Sequence, residues 1–178
     1  FRFEPNEYPL NAGLRLLEAS AGTGKTFALA HLVLRFLTEE KHQMKDLLVV
    51  TFTDSAAAEL RARIATRLQE ALDGLRAWEE KRSNEKLDAV LQKWIQLHGG
   101  DRSTRKELAS LLLVALEDLD QADITTIHGF CWRTLRRSAL ASGSTITPRL
   151  EEDRERLIME VVHDYWQKEI LELQPKHL

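Results

Sequence analysis

Ala19-Ser20-Ala21-Gly22-Thr23-Gly24-Lys25-Thr26 is the stretch that decides how this chain is read. A short apolar run, Leu14 to Leu17, precedes it. A longer run, Phe27 to Leu37, follows, with Leu29, Leu32, Val33, Phe36 and Leu37 at helical spacing. Strand, glycine-rich turn and helix in that order are the context a phosphate-binding loop requires. Glycines let backbone N–H groups turn inward around an anion, a lysine reaches the terminal phosphates, and the hydroxyl after it holds Mg²⁺. The helix that opens at the loop presents the positive end of its dipole to the same phosphates. Lys25 and Thr26 fill the lysine and hydroxyl positions, and residues 19–24 fill the cradle. One position departs from the pattern: Ala19 stands where the first glycine is usual. A chance glycine-rich turn is the bland alternative, and the matching flanks argue against it.

Working outward, Leu47-Leu48-Val49-Val50-Thr51-Phe52-Thr53 reads as a strand buried on both faces of a parallel sheet. Asp54-Ser55 supply cap-type residues for a helix whose stripe is Leu60, Ile64, Leu68, Leu72 and Leu75. Arg61, Arg63 and Arg67 lie off that stripe, and Arg63 and Arg67 read as a solvated face. Residues 79–86 are charged and read as a loop. Leu87, Val90, Leu91, Trp94 and Ile95 predict a further helix ended by Gly99-Gly100. Thr104-x-x-Glu107 reads as a capping box opening another.

The run Leu111 to Asp118 imitates an apolar strand ending in an acidic, metal-holding pair. Its helical periodicity, and the presence of Val114 as its one β-branched residue, place it on a helix instead. Residues 79–120 therefore look like a helical insertion between two sheet strands. Ala122 to Ile127 predicts a short strand and His128 to Ala141 a helix carrying Arg133, Arg136 and Arg137. Thr145 to Leu150 reads as extended. Beyond it, Leu157, Ile158, Val161, Val162, Tyr165 and Trp166 share one helical face.

With 178 residues, 43% hydrophobic and 30% charged, the chain has the size and make-up of one globular domain. A formal net charge of -3 means that any nucleic-acid contact must be local. Cys131 has no second cysteine to pair with, which fits a reducing, cytoplasmic setting. The longest apolar run, Leu111 to Leu116, is too short to span a bilayer, and no leader pattern opens the chain. Scattered histidines and the absence of a C-x-x-C pair predict no structural metal. Strands alternating with helices after a phosphate loop define an α/β fold of the P-loop type, a parallel sheet with helices on both faces. Residue chemistry alone leaves a small kinase, a motor and a signalling NTPase open.

Three segments in order resemble the first motor domain of superfamily 1 DNA helicases of the UvrD/Rep type. They are Ala19 to Thr26, Leu48 to Arg61, and Thr125-Thr126-Ile127-His128-Gly129-Phe130-Cys131. The second resembles that family's motif Ia and the third its motif Ib. Within the group, Leu17 to Phe27 and the Thr-Ile-His-Gly-Phe-Cys run are most similar to the RecB branch, the β subunits of the RecBCD helicase–nuclease. The resemblance spans roughly residues 10 to 165.

It implies a RecA-like motor domain over 1–150, with the insertion at 79–120, and the start of a helical subdomain over 151–178. It implies ATP phosphates and Mg²⁺ at Lys25 and Thr26. It implies single-stranded DNA at Thr51, Phe52, Thr53, Thr126 and His128, with the Phe52 ring lying against a base. The bland alternatives are a core aromatic for Phe52 and a helix-start residue for His128. Asn11 is the nearest amide to the family's adenine-reading glutamine. Double-stranded DNA and RecC- and RecD-like subunits are the further implied partners, with no membrane.

No Asp-Glu-x-x-Asp stretch follows the third segment, so the chain reads as the N-terminal piece of a larger protein, inactive alone. In this family the strands bearing later motifs separate the strand before the phosphate loop from the one at Leu47–Thr53. Those two are therefore not expected to pair here, whereas Leu47–Thr53 and Ala122–Ile127 are expected to pair in parallel. A complete small P-loop kinase and a non-catalytic nucleotide-binding module remain as alternatives.

Overall fold

The computed structural model describes residues 4–18, 20, 22, 24–80, 84, 86–138 and 154–170. The chain divides into two units, Phe1–Trp132 and Arg133–Leu178. In order, the elements are α1 (Lys25–Thr38), β1 (Leu48–Thr51), α2 (Asp54–Glu79), α3 (Ala89–His98), α4 (Arg102–Glu117), β2 (Asp123–Thr126), α5 (Ile127–Arg137) and α6 (Arg154–Tyr165). Short 3₁₀ turns at Met44–Asp46 and Asp118–Gln121 lead into the two strands. The fold is thus helix-rich α/β, with β1 and β2 paired in parallel as expected, Leu48 opposite Asp123 and Thr51 opposite Thr126.

The apolar stripe of α2 is buried along its length: Leu60, Ile64, Leu68, Leu72 and Leu75 are each 3% exposed or less. Around it pack Leu34 and Leu37 of α1, Leu91, Trp94 and Ile95 of α3, and Leu108 and Leu112 of α4. Val49 and Ile124 close the cluster from one face of the sheet. The run Leu111 to Glu117 lies on α4, so its resemblance to a metal-bearing strand is superficial. In the second unit, Leu157, Ile158, Val161, Val162, Tyr165 and Trp166 are exposed along α6 and the π-helical turn Trp166–Ile170.

Several expectations are corrected. Leu14 to Leu17 forms no strand, and Leu14 and Leu16 are 98% and 81% exposed. A strand exists only through ladder bonds to a neighbour, and among the described residues this run has none. For the same reason β1 is not buried on both faces: Leu48 and Val50 point to its open side at 47% and 40% exposure. On that same face Thr125 of β2, opposite Val50, is 7% exposed and meets Gly129 of α5, so the open part is the β1 side. The helix after the phosphate loop packs chiefly on α2 and α4, not on the sheet. Two caps also fall elsewhere. Thr53, not Asp54-Ser55, caps α2 by accepting the Ala56 N–H at 3.2 Å. Asp101, not Thr104, caps α4 by accepting the Thr104 N–H at 2.8 Å. The predicted extended segment Thr145 to Leu150 and the end of the preceding helix lie outside the described residues.

A polar knot ties the segment before the loop to α1. Arg35, 6% exposed, donates to the carbonyls of Pro5 and Tyr8 at 2.8 and 2.7 Å and forks onto Glu39 at 2.7 and 2.8 Å. Burial pushes the Glu39 carboxyl up, but the hydrogen bonds and charge of Arg35 outweigh it and hold the pKa below its usual value. Asn6 donates to the Val90 carbonyl at 2.8 Å and accepts from His31 Nε2 at 2.7 Å. Fully buried, His31 has its pKa lowered to about 4, first by desolvation and then by the Arg67 charge.

This folded pKa lies below the unfolded value of 6.5, so the unfolded chain takes up the proton first. Stability contributed by neutral His31 is therefore complete above pH 6.5 and is lost progressively as pH falls toward 4. Thermal melts of wild type and His31→Gln between pH 7.5 and pH 5 check this. The wild-type midpoint should fall more steeply below pH 6.5, and equal slopes in the two proteins would contradict it.

Candidate nucleotide and nucleic-acid site

α1 begins at Lys25 on Gly24, whose φ of 89° and ψ of 20° are left-handed; Gly22 has φ of 75°. A Cβ at either glycine would meet no neighbouring atom, so backbone direction is what demands glycine there. Ala19, Ala21 and Thr23 lie outside the described residues. Lys25 is exposed, and its Nζ donates back to the Ser20 carbonyl at 2.6 Å. Thr26 is half-buried in the first turn.

Other helix starts spend a side-chain oxygen on their first N–H groups: Thr53 at α2, Asp88 at α3 and Asp101 at α4. Gly24 has no side chain to give, and no acidic residue stands in the first turn of α1. The first-turn N–H groups, the Lys25 ammonium and the Thr26 hydroxyl make a donor set suited to an anionic, oxygen-rich ligand. Thr26 supplies an oxygen that can reach a hard cation.

The five residues assigned to DNA meet at one edge of the sheet. Because Thr51 pairs with Thr126 in a parallel ladder, the chain leaves both strands on the same side. Phe52 follows β1 directly and is 87% exposed, which sets aside the core-aromatic alternative. Thr51 Oγ1 donates to the Thr53 carbonyl at 3.0 Å, and Thr53 caps α2, so the two threonines fix the turn that presents Phe52. Thr126 is 7% exposed, and its hydroxyl accepts the Gly129 N–H at 3.1 Å, capping α5. His128 is exposed in the first turn of α5.

Gly129 sits where a Cβ would come within 2.5 Å of Thr125 Oγ1 and 3.1 Å of Thr126 Oγ1. The glycine of the Thr-Ile-His-Gly run is therefore a packing requirement, which its sequence neighbours do not disclose.

The arginines of α2 divide in a way that spacing does not show. Arg63 is exposed beside Glu59, as the solvated-face reading expects. Arg61 donates to the carbonyls of Leu119, Ala122 and Ile124, bracing α2 against the entry to β2. Arg67 is 4% exposed, which corrects the expectation of a solvated side chain. It pairs with Asp88 and stacks under Phe27, its Cζ 4.4 Å from the ring centroid. Burial raises the Asp88 carboxyl, but the Arg67 hydrogen bond and the N–H groups of Leu91 and Val90 outweigh it and hold the pKa below its ordinary value. Asn11, the candidate amide for adenine, is exposed and accepts from Arg15 at 2.5 Å. Among the described residues no cluster of three metal-ligating side chains exists, and no helix is long and apolar enough to cross a membrane.

The family model of the UvrD/REP helicase N-terminal domain matches residues 6–178. Across 173 residues the chain is 36% identical to the RecBCD enzyme subunit RecB of Escherichia coli, covering 93% of this chain and 14% of that protein. The RecB subunit of Haemophilus influenzae is 34% identical, covering 92% of this chain and 14% of the relative. That of Mycobacterium tuberculosis is 35% identical, covering 88% and 14%. The chain thus spans about one-seventh of the length of these relatives.

Close packing at the strand edge is directly testable. Thr126→Ala removes the α5 cap and is expected to cost about 1 kcal/mol, while Thr126→Ser retains it. Gly129→Ala forces the Thr125 and Thr126 hydroxyls aside, at an expected cost of about 1–3 kcal/mol. Urea unfolding of the variants measures both, and an unchanged midpoint in Gly129→Ala would contradict the packing.

Proposed function

Because this chain belongs to the UvrD/REP helicase N-terminal domain family, we propose that it is the ATP-binding part of a RecB-like DNA helicase–nuclease subunit. The parent protein couples ATP hydrolysis to movement along single-stranded DNA in the repair and recombination of double-strand breaks. One observation carries the DNA half of the reading. The Thr51–Thr126 register sets a highly exposed aromatic, Phe52, and an exposed histidine, His128, at one sheet edge. An aromatic ring held out by two threonines offers a face to any base, which suits a motor that must ignore sequence. Thr51 and Thr53 orient that ring, and Thr126 orients His128 through the start of α5.

The nucleotide half rests on the loop. The motif over residues 19–24 would cradle the phosphates, Lys25 would neutralise their charge, and the dipole of α1 would add to it. Thr26 would hold Mg²⁺, which, when bound, neutralises charge on the phosphate oxygens during transfer. The chain's fold is then the first part of a RecA-like P-loop domain. In that reading α3 and α4 form an insertion at about 79–120, and α6 begins a helical subdomain within 151–178.

Cleavage of ATP needs an acidic pair and arginines beyond the segments present here. The working enzyme is therefore the full-length parent, acting with RecC- and RecD-like subunits on single- and double-stranded DNA in the cytoplasm.

Full-length protein tests both halves. Lys25→Ala should abolish DNA-stimulated ATP turnover while leaving the melting temperature within about 1 °C of wild type, since Lys25 is exposed. Phe52→Ala should weaken single-strand binding by about 1–3 kcal/mol, and Phe52→Leu by nearly as much. Wild-type turnover in Lys25→Ala would overturn the nucleotide assignment. Wild-type strand affinity in Phe52→Leu would overturn the stacking assignment.

A further inference from the structure

Arg67 is a buried cation to which the phosphate-loop and strand-edge chemistry gives no task. It lies near the middle of α2, 4% exposed, with its guanidinium paired to Asp88 and 3.5 Å from the Glu70 carboxylate. Asp88 is itself held in place, because its Oδ1 accepts the N–H groups of Val90 and Leu91 at 3.0 and 3.1 Å as the cap of α3. Clamped from that side, the guanidinium lies over the Phe27 ring, its Cζ 4.4 Å from the centroid.

Taking a charge out of water opposes folding, and an apolar side chain of similar volume would often serve packing as well or better. What arginine adds is direction: a planar fork, locked by a carboxylate, that fixes where a stacked ring can sit. Phe27 follows Thr26 in the first turn of α1. Wherever its ring is held, the turn carrying Lys25 and Thr26 is held too. Beside the ring lies a cleft of about 360 Å³ lined by Glu59, Ala62, Arg63 and Thr66 together with Arg67 and Asp88 themselves. Phe27 is 38% exposed, so the walls alone do not confine the ring, and the Arg67 contact is what positions it.

We propose that Arg67, locked by Asp88, is a positioning residue for the phosphate loop that acts through the Phe27 ring to set the first turn of α1. This rests on the reading of residues 19–26 as a nucleotide site. Three links carry it: Asp88 fixes Arg67, Arg67 fixes Phe27, and Phe27 fixes the backbone from which Lys25 and Thr26 project. Breaking any one should loosen the grip on nucleotide without removing an atom that touches it.

Equilibrium titration of the full-length protein with a fluorescent ATP analogue and Mg²⁺ tests the chain of contacts, with melting temperature recorded for each variant. Arg67→Met and Phe27→Leu should each weaken binding about tenfold. The double variant should be within about twofold of the weaker single, because both remove one shared contact. Asp88→Asn, which unlocks the guanidinium but leaves it in place, should weaken binding by a smaller factor and serves if Arg67→Met does not fold. Unchanged affinity in Phe27→Leu and Asp88→Asn, with only the melting temperature reduced, would overturn the proposal and leave Arg67 a packing residue. Losses that multiply in the double variant would overturn it as well. Wild-type protein that binds no analogue would overturn both the proposal and the nucleotide reading, whereas tight wild-type binding with unaffected variants would overturn the proposal alone.

Discussion

The parallel pairing of Leu48–Thr51 with Asp123–Thr126 is the constraint on which the rest of this structure depends. Four residue pairs join segments separated by three helices, so closing that long connection has a substantial entropic cost. The helices between the strands offset it by burying the α2 stripe against α1, α3 and α4. Arg61 adds a second tie, donating from α2 to the carbonyls of Leu119, Ala122 and Ile124 at the entry to β2. Once the register is fixed, everything at the sheet edge follows. Thr53 starts α2, Thr126 starts α5, and Phe52 and His128 are left projecting on the same side.

The glycine-rich segment that opens α1 is placed by a different route. No strand among the described residues carries it into the sheet, because Leu14 to Leu17 has no ladder partner. Its place is set by the helix it opens. α1 is seated through Leu34 and Leu37 in the core, through Arg35 and His31 against the segment at residues 5–8, and through Phe27 on Arg67. α2 is consequently the shared rod. Its first residue follows the strand-edge turn, and Arg67, thirteen residues on and so about 20 Å along the axis, touches the start of α1. A single rigid element thus touches both halves of the candidate site.

Much of this was legible in the sequence where a signal is local. The 3.6-residue periodicity of Leu60 to Leu75 reports a buried stripe whatever covers it, and the β-branched run at residues 49–51 reports a strand. The tight turn that opens α1 was legible because glycine supplies the positive φ found at Gly22 and Gly24. What was not legible depends on partners distant in the chain. Leu14 to Leu17 looks like a strand because apolar pattern cannot say whether a neighbour is present to bond with. Arg67 looks solvated because its partners, Phe27 and Asp88, are forty and twenty-one residues away. The caps at Thr53 and Asp101 were missed by one to three positions, since several adjacent residues could each cap and only backbone direction chooses among them.

Single-stranded DNA, on the function proposed above, lies along the edge formed by the ends of β1 and β2. Photo-crosslinking gives the most direct measurement: full-length protein is irradiated with a single strand carrying 4-thiothymidine and the adducts are mapped by peptide mass spectrometry. Adducts are expected within residues 51–53 or 126–128, lost on addition of excess unmodified strand. Competable adducts that map reproducibly to other surfaces, with none at this edge, would contradict it.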